Sequence, residues 1–344
     1  MGLGKLRLSD FDYHLPPELI AQRPAERRDG SRLLVLHREN GRIEHRQFGD
    51  IVAFLKPDDL LVLNATKVIP ARLLGRKSGS GGQAELLLLR RRSDKQWECL
   101  VKPGRRLMPG ARIEFAEGPM TAEILENQGR GRRLVSFDFL GDFFGLLDRA
   151  GHVPLPPYIG RGDEPEDRER YQTVYARDPG SVAAPTAGLH FTPEILERAR
   201  EKGVGVLEVV LHVGWGTFKE VEAVDIRQHR MEEEYYRIDA AAAEEIYRAR
   251  DEGRRIVAVG TTAVRALESF ARSGKHEGWT EIFIHPPCGF NLVGALVTNF
   301  HLPRSTLLML VSALAGVENI RKSYAEAIRE GYRFYSYGDA MLII

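Results

Sequence analysis

Side chains suited to chemistry gather in a few short segments of the 344-residue chain. Ala183 to Thr192 joins small residues to a single His190. Gly188 and its neighbours let a backbone approach a ligand closely. Thr186 offers a hydroxyl, and His190 stands just before a helix start, where free N–H groups favour anions. A structural histidine fits the same place. Leu211 to Phe218 follows an apolar run and supplies a second imidazole, His212. Its Trp215, Gly216, Thr217 and Phe218 read as an aromatic plane exposed by a flexible loop and able to stack a base. A buried tryptophan flanked by turn glycines fits the same string. Ala258 to Arg265 has the layout strand, glycine, hydroxyls, helix. Thr261, Thr262 and Arg265 form a cradle there for a carboxylate or a hydroxyl-bearing ligand. Thr298 to Thr306 brings Asn299, His301 and Arg304 to another helix start. Loop-borne polar groups at the ends of apolar elements are functional candidates. Tyr335 to Asp339 is similar, although aromatic-rich strands are usually packed.

Arg23 to Arg32 is rich in guanidinium groups. It reads either as a loop offering Arg27, Arg28 and Arg32 to an anion or as a turn whose Asp29 pairs an arginine. Several motifs are missing. No Gly-x-x-x-x-Gly-Lys-Ser/Thr phosphate loop occurs, and no Gly-x-Gly-x-x-Gly follows a strand. No His-Glu-x-x-His and no Gly-x-Ser-x-Gly are found. His285 and Cys288 lie three apart, but two ligands do not make a metal site, so no metal is expected. Cys99 and Cys288 are the two cysteines, too few for a disulfide framework.

A net charge of +1 hides an asymmetry. Ala71 to Arg133 holds 14 Lys/Arg against 7 Asp/Glu, and the rest of the chain 35 against 41. Arg90, Arg91, Arg92, Lys102, Arg105 and Arg106 dominate that excess. A locally basic segment is the electrostatic footprint of a polyanion contact. Ordinary charged strand faces would give the same count.

The elements that position these residues are legible in the patterning. From Arg72 to Asp138, short apolar runs alternate with Gly-rich turns, predicting strands at 69–75, 84–91, 96–102, 111–115, 120–127 and 132–138. Such spacing indicates a small barrel or sandwich. On either side helices and strands alternate. Strands are expected at 60–64, 206–213, 255–259 and 282–285. Helices are expected after Thr192, Asp239, Thr261 and Ser305, and over 319–330, with a short one capped by Asp50. The fold class is therefore a layered α/β domain, residues 1–68 and 157–344, with an inserted β-barrel, residues 69–156. Arg161 to Arg170 reads as a mobile loop. No apolar run approaches the ~20 residues of a membrane span, and the mixed N-terminus argues against a signal peptide. A soluble, cytoplasmic chain is expected.

Taken together, these segments resemble the S-adenosylmethionine:tRNA ribosyltransferase-isomerase family of queuosine biosynthesis. The similarity runs through Phe11-Asp12-Tyr13, Arg28-Asp29, Ser31-Arg32-Leu33, Val68 to Arg72, Leu100 to Gly104, Pro154 to Ile159 and Arg170 to Tyr175. Ser181 to Thr192, His212 to Phe218, Gly260 to Arg265, Asn299 to Ser305 and Tyr337 to Met341 complete it. Two places depart from the family's habit: Asn64-Ala65-Thr66, where an acid or amide is common at the middle position, and Pro287-Cys288-Gly289, where Pro-Gly-Tyr is usual. The resemblance implies an α/β domain with an inserted barrel. It also implies transfer and isomerisation of the ribosyl group of S-adenosylmethionine onto 7-aminomethyl-7-deazaguanine at the tRNA wobble position. Epoxyqueuosine-tRNA, adenine and methionine would be the products. S-adenosylmethionine is then a co-substrate, and no separate cofactor is expected.

With that reaction in view, His190 and His212 are the acid–base candidates, since an efficient base titrates near the working pH. Thr186, Gly188, Trp215, Gly216, Thr217, Phe218, Thr261, Thr262, Arg265, Asn299 and His301 are the candidates for S-adenosylmethionine. The barrel, with Arg27, Arg28 and Arg32, would grip tRNA phosphates, and a monomer is expected. The alternatives are a methyltransferase using the same co-substrate and a non-enzymatic RNA-binding protein.

Overall fold

The computed structural model describes residues 7–116, 119–218, 221, 223 and 225–344, with the side chain of Phe218 outside the described residues. The chain opens with an antiparallel pair, β1 (Arg32–His37) and β2 (Arg42–Gln47), then a single helical turn α1 (Ile51–Phe54), β3 (Leu60–Asn64) and the short β4 (Thr66–Val68). It then leaves for a separate sheet: β5 (Arg72–Lys77), β6 (Gln83–Arg91), β7 (Gln96–Lys102), β8 (Arg112–Glu114), β9 (Met120–Gly129) and β10 (Arg132–Phe139). Helix α2 (Phe143–Ala150) and β11 (Gly151–His152) bring it back.

Six of these strands, in the order β5-β6-β7-β10-β9-β8, close on themselves because β5 also pairs with β8. Closure removes sheet edges. Ile113, Trp97, Phe115 and Phe137 fill the interior, and α2 seals it with Phe143 and Leu147. β11 pairs with the start of β5, so the chain enters and leaves the barrel side by side. A Cβ on Gly151 would lie 2.1 Å from the Pro70 carbonyl oxygen, so glycine is required where the two segments cross. Adjacent ends are what make an inserted unit tolerable.

The chain resumes with α3 (Asp167–Arg170), β12 (Asp178–Ser181), which pairs with β4, then α4 (Pro193–Glu201), β13 (Gly205–Leu211) and β14 (Glu234–Arg237). Helix α5 (Ala240–Asp251), β15 (Ile256–Val259), α6 (Thr261–Ser273), β16 (Glu277–Thr280) and β17 (Val293–Asn299) follow. The last elements are α7 (Thr306–Ala315), α8 (Val317–Arg329) and β18 (Ala340–Ile343). The main sheet runs β16-β14-β13-β3-β15-β17-β18-β1-β2. Its centre, β13-β3-β15-β17, is parallel. Those strands are nearly all apolar because both faces are covered. Leu60, Val62, Ile256 and Ala258 face α5 to α8 on one side. Leu61, Leu63, Val257 and Val259 face α4 on the other.

Two helix starts act as their residue types require. Thr192 accepts the Ile195 N–H at 3.3 Å, with Pro193 in the first turn, and Ser305 accepts the Leu308 N–H at 3.1 Å. The strand expected at 282–285 is absent, and 277–280 forms β16 instead. The reason is register: β14 offers four residues, which Glu277–Thr280 consume, and 282–285 lie beyond its end. Ile284 is buried without a ladder. The charged stretch 161–170 is tied down rather than loose. Arg161 forms a bidentate pair with buried Asp167 at 2.6 and 2.9 Å, and the Tyr337 hydroxyl donates to the same carboxylate at 2.6 Å.

Candidate functional site at the carboxyl ends of the parallel strands

In parallel α/β sheets ligands bind beyond the strands' carboxyl ends, because the loops there connect to helix N-termini and leave a crevice. Here a cleft opens at that edge. The segment after β15 contributes Gly260, Thr261 and Thr262, and the end of β17 contributes Thr298, Asn299, Phe300 and His301. Ala183 to Ala187 form a small-residue wall that includes Thr186. Val213 and Thr217 approach from the loop after β13, and Tyr158, Tyr335 and Ser336 close the remaining side. Gly260 has φ +89°, a conformation that favours glycine, and this lets the strand turn directly into α6.

Two side-chain polar atoms here, Thr262 Oγ1 and Asn299 Oδ1, are buried with no partner among the described residues. Buried polar groups are nearly always hydrogen-bonded, so these two mark where a ligand's polar atoms fit. His301 stands in the wall with Nε2 against Thr298 Oγ1 at 2.8 Å. Burial pushes its pKa down to about 3. Tyr13 donates to the His301 carbonyl, and Tyr324 Oη accepts the His301 N–H at 3.0 Å. Tyr335, with φ +72°, holds a backbone shape rare for a non-glycine residue.

His190 and His212 do not line the cleft. His190 is buried behind Asn299, with Nδ1 at 2.6 Å from Ser31 Oγ and Nε2 at 3.2 Å from Asn299 Nδ2. Its other side opens on a small recess that also carries Arg27, Arg28, Arg170, Arg333 and Ser336. Ser336 belongs to both spaces. Burial, with Arg333 and Arg28 nearby, lowers the His190 pKa to about 3. His212, just beyond the end of β13, turns away from the cleft that Val213 lines. Its Nδ1 contacts Thr66 Oγ1 at 2.8 Å, and its ring stacks on Tyr235. Burial lowers its pKa to about 4.

Arg265 does not reach the cleft either. It forms a fully buried ion pair with Glu234. Glu234 Oε1 accepts the Gly214 N–H at 3.0 Å and the Thr217 hydroxyl at 3.3 Å. Burial pushes the Glu234 carboxyl up, opposed by Arg265 and these two donors. The pair thus fastens the Gly214–Thr217 loop to α6. Glu234 carries no signal in the sequence beyond its place in an acidic run. Trp215 packs against the barrel core, not in the cleft. A Cβ on Gly216 would fall 2.8 Å from the Glu232 carboxyl carbon, and one on Gly188 would fall 2.1 Å from Tyr175 Oη. These two glycines answer to packing. Tyr158, in the family-like Pro154 to Ile159 motif, is a cleft residue that its own residue type did not mark. Ala65 is fully buried, its carbonyl accepting the Arg177 and Asp178 N–H groups.

The basic residues separate into two sets. Arg90 pairs with Glu233 at 2.7 Å and lies 3.6 Å over the Trp279 ring, Arg91 pairs with Asp94, and Arg92 with Glu98. Arg27 pairs with Asp29, and Arg32 lies over Tyr332. Lys102, Arg105 and Arg106 are exposed and form no ion pair among the described residues. Arg28 reaches only the carbonyls of Leu189 and Glu169, and Arg170 those of Glu26 and Ala25.

A parallel-centred α/β sheet with a polar crevice at its carboxyl edge, joined to a closed basic barrel, defines a two-part α/β enzyme. The family model described as "Queuosine biosynthesis protein" matches residues 8–343. The S-adenosylmethionine:tRNA ribosyltransferase-isomerase of Desulfitobacterium hafniense is 53% identical over 98% of this chain and all of its own length. That of Pelotomaculum thermopropionicum is 54% identical with the same coverage. A crystal structure of an S-adenosylmethionine tRNA ribosyltransferase from Thermotoga maritima is 43% identical. It covers 97% of this chain and all of its own, with a TM-score of 0.56. The chain belongs to the S-adenosylmethionine:tRNA ribosyltransferase-isomerase family of queuosine biosynthesis and is an enzyme. The α/β class with a barrel, expected from the pattern, is the observed fold.

Proposed function

We propose that the enzyme transfers the ribosyl group of S-adenosylmethionine to the aminomethyl group of 7-aminomethyl-7-deazaguanine at the tRNA wobble position. The ribose is isomerised to the epoxycyclopentane of epoxyqueuosine, and adenine and methionine leave. The observation that carries this reading is the full-length family match joined to a cleft whose unpartnered atoms, Asn299 Oδ1 and Thr262 Oγ1, suit hydroxyl- and amine-bearing ligands. S-adenosylmethionine is consumed as a substrate, and the chemistry draws on no further cofactor.

Thr186, Thr217, Thr261, Thr262, Asn299 and His301 form the binding wall for that co-substrate. Gly188, Gly216 and Arg265 support it from behind, through packing and the Glu234 pair. Trp215 serves the junction with the barrel rather than base stacking. Sharing of acid–base work by His190 and His212 finds no support in their positions, because both rings are held by protein partners outside the cleft. The tRNA phosphates engage Lys102, Arg105 and Arg106 on the barrel and Arg28 at the recess, with Arg27, Arg32 and Arg90 to Arg92 contributing less. The enzyme acts as a cytoplasmic monomer.

Product analysis tests the reaction. Protein, S-adenosylmethionine and tRNA carrying 7-aminomethyl-7-deazaguanine should yield adenine and methionine together, only with the modified tRNA. S-adenosylhomocysteine as the product would establish methyl transfer instead. Binding of tRNA with no turnover would favour an RNA-binding module.

A further inference from the structure

The Asn299 carboxamide is fixed in one orientation by its surroundings. Its Nδ2 lies 3.2 Å from the Tyr335 carbonyl oxygen and 3.4 Å from that of Asp339. A flipped amide would set Oδ1 against both carbonyls, acceptor to acceptor. Nδ2 therefore faces inward and donates, and the third acceptor it meets is His190 Nε2 at 3.2 Å. Two hydrogens serve these three acceptors, and a proton on Nε2 would set donor against donor, so His190 Nε2 carries none. The ring is then neutral with its proton on Nδ1, donating to Ser31 Oγ at 2.6 Å. Ser31 in turn donates toward the Arg28 carbonyl at 3.4 Å. The chain of donors runs one way, from Asn299 through His190 and Ser31 to the backbone.

With Nδ2 engaged on the inner side, Oδ1 is the polar atom Asn299 has left for the cleft. It is buried and has no partner among the described residues. We infer that Asn299 Oδ1 accepts a hydrogen bond from a hydroxyl or amino donor of the bound substrate, and that His190 is the positioning residue that aims it. This rests on the reaction proposed above and names how one wall of its site is built. The charged groups around the ring favour its neutral form. Arg28 and Arg333 face it, and the Asp339 carboxylate is engaged by the Arg32 and Arg333 N–H groups. Phe48 covers one ring face at 5.0 Å.

Two substitutions separate aiming from proton transfer. His190→Gln keeps an acceptor for Asn299 and a donor for Ser31 but cannot titrate. His190→Leu keeps bulk but removes that acceptor, leaving the amide only the two backbone carbonyls to aim it. His190→Leu should lower kcat/KM for S-adenosylmethionine by up to about tenfold, the worth of the one lost hydrogen bond that aims the amide. His190→Gln should recover most of that loss with the wild-type pH profile. If Gln is as inactive as Leu while both melt like wild type, the ring transfers protons and the inference fails. Nitrogen-15 NMR of the wild-type ring gives a readout free of the assay and of variant folding. The signals should be those of a neutral ring protonated on Nδ1 and constant from pH 5.5 to 8. A ring titrating near the ordinary histidine value of about 6.5 overturns the proposal. A wild type that releases no adenine would sink the reaction reading, and the ring signals alone would then decide the positioning role.

Discussion

The cleft and the barrel surface keep their polar residues in opposite states. At the sheet edge the polar groups are buried, neutral or internally paired, and Thr262 Oγ1 and Asn299 Oδ1 are left without partners. On the barrel the charges are exposed, and the densest run, Arg90 to Arg92, is matched arginine by arginine with Glu233, Asp94 and Glu98. A residue's capacity for function is what remains after its own protein has used it. By that measure the cleft keeps directed hydrogen-bonding capacity. The barrel keeps charge free of ion pairs, among the described residues, at Lys102, Arg105 and Arg106 and also at Arg76, Lys77 and Arg130.

The largest effect belongs to the pair under the cleft. Arg265→Met would strand the buried Glu234 carboxylate and release the Gly214–Thr217 loop. Breaking a buried pair on one side costs about 3–5 kcal/mol. Denaturant unfolding should show a loss of that size, and a change under 1 kcal/mol would mean the pair carries no structural weight.

Acid should come next. His190, His212 and His301 have folded-state pKa values of about 3, 4 and 3, against about 6.5 in an unfolded chain. Between those limits the unfolded state binds more protons. Stability is therefore full above about pH 6.5 and is lost as pH falls toward 3 to 4. Denaturation midpoints from pH 7.5 to 4 should decline. His301→Gln should flatten the decline by its share, and parallel curves for variant and wild type would remove His301 from the account.

A smaller effect separates ligand contact from stability. Thr262→Val removes a hydroxyl with no protein partner. The melting temperature should barely move, while kcat/KM for S-adenosylmethionine falls by about tenfold, the worth of one neutral hydrogen bond. A large drop in melting temperature would show that Thr262 supports the fold instead.

The barrel supplies the finest discrimination. Each lost phosphate contact reduces the slope of log affinity against log salt by about 0.7–0.9. Replacing Lys102, Arg105 and Arg106 by alanine should flatten the tRNA-binding slope more than replacing Arg90, Arg91 and Arg92. The reverse order would mean the ion pairs of Arg90 to Arg92 open on binding, and the contrast between the two regions would break.

Much of this was legible because local chemistry repeats. Apolar runs bounded by glycine and a helix-capping hydroxyl foretold β13, β15, α4 and α7, and five of the polar segments do meet in one cleft. What failed to read through were directions and partners. His212 and Val213 are neighbours in sequence, yet His212 turns to Thr66 and Tyr235 while Val213 lines the cleft. Arg265 sits one turn from Thr262, yet burial pairs it with Glu234 from another strand. Tyr158 arrives from a distant segment to share the cleft wall with Tyr335, its ring centroid 4.7 Å away.

Read alone, the chain carried the six barrel strands, the α/β class, the family and the segments that hold chemistry, whereas the strand it suggested at 282–285 did not form and β14, β16, β17 and β18 went unmarked. Periodicity, capping and turn residues act over a few positions and are written locally. Which of those side chains face the cleft, and which charges stay unpaired, came from the packed fold. The same packing decided that His190 stands behind Asn299 rather than in front of it. Those outcomes depend on residues far apart in the chain being brought within about 3 Å, where hydrogen bonds and ion pairs form.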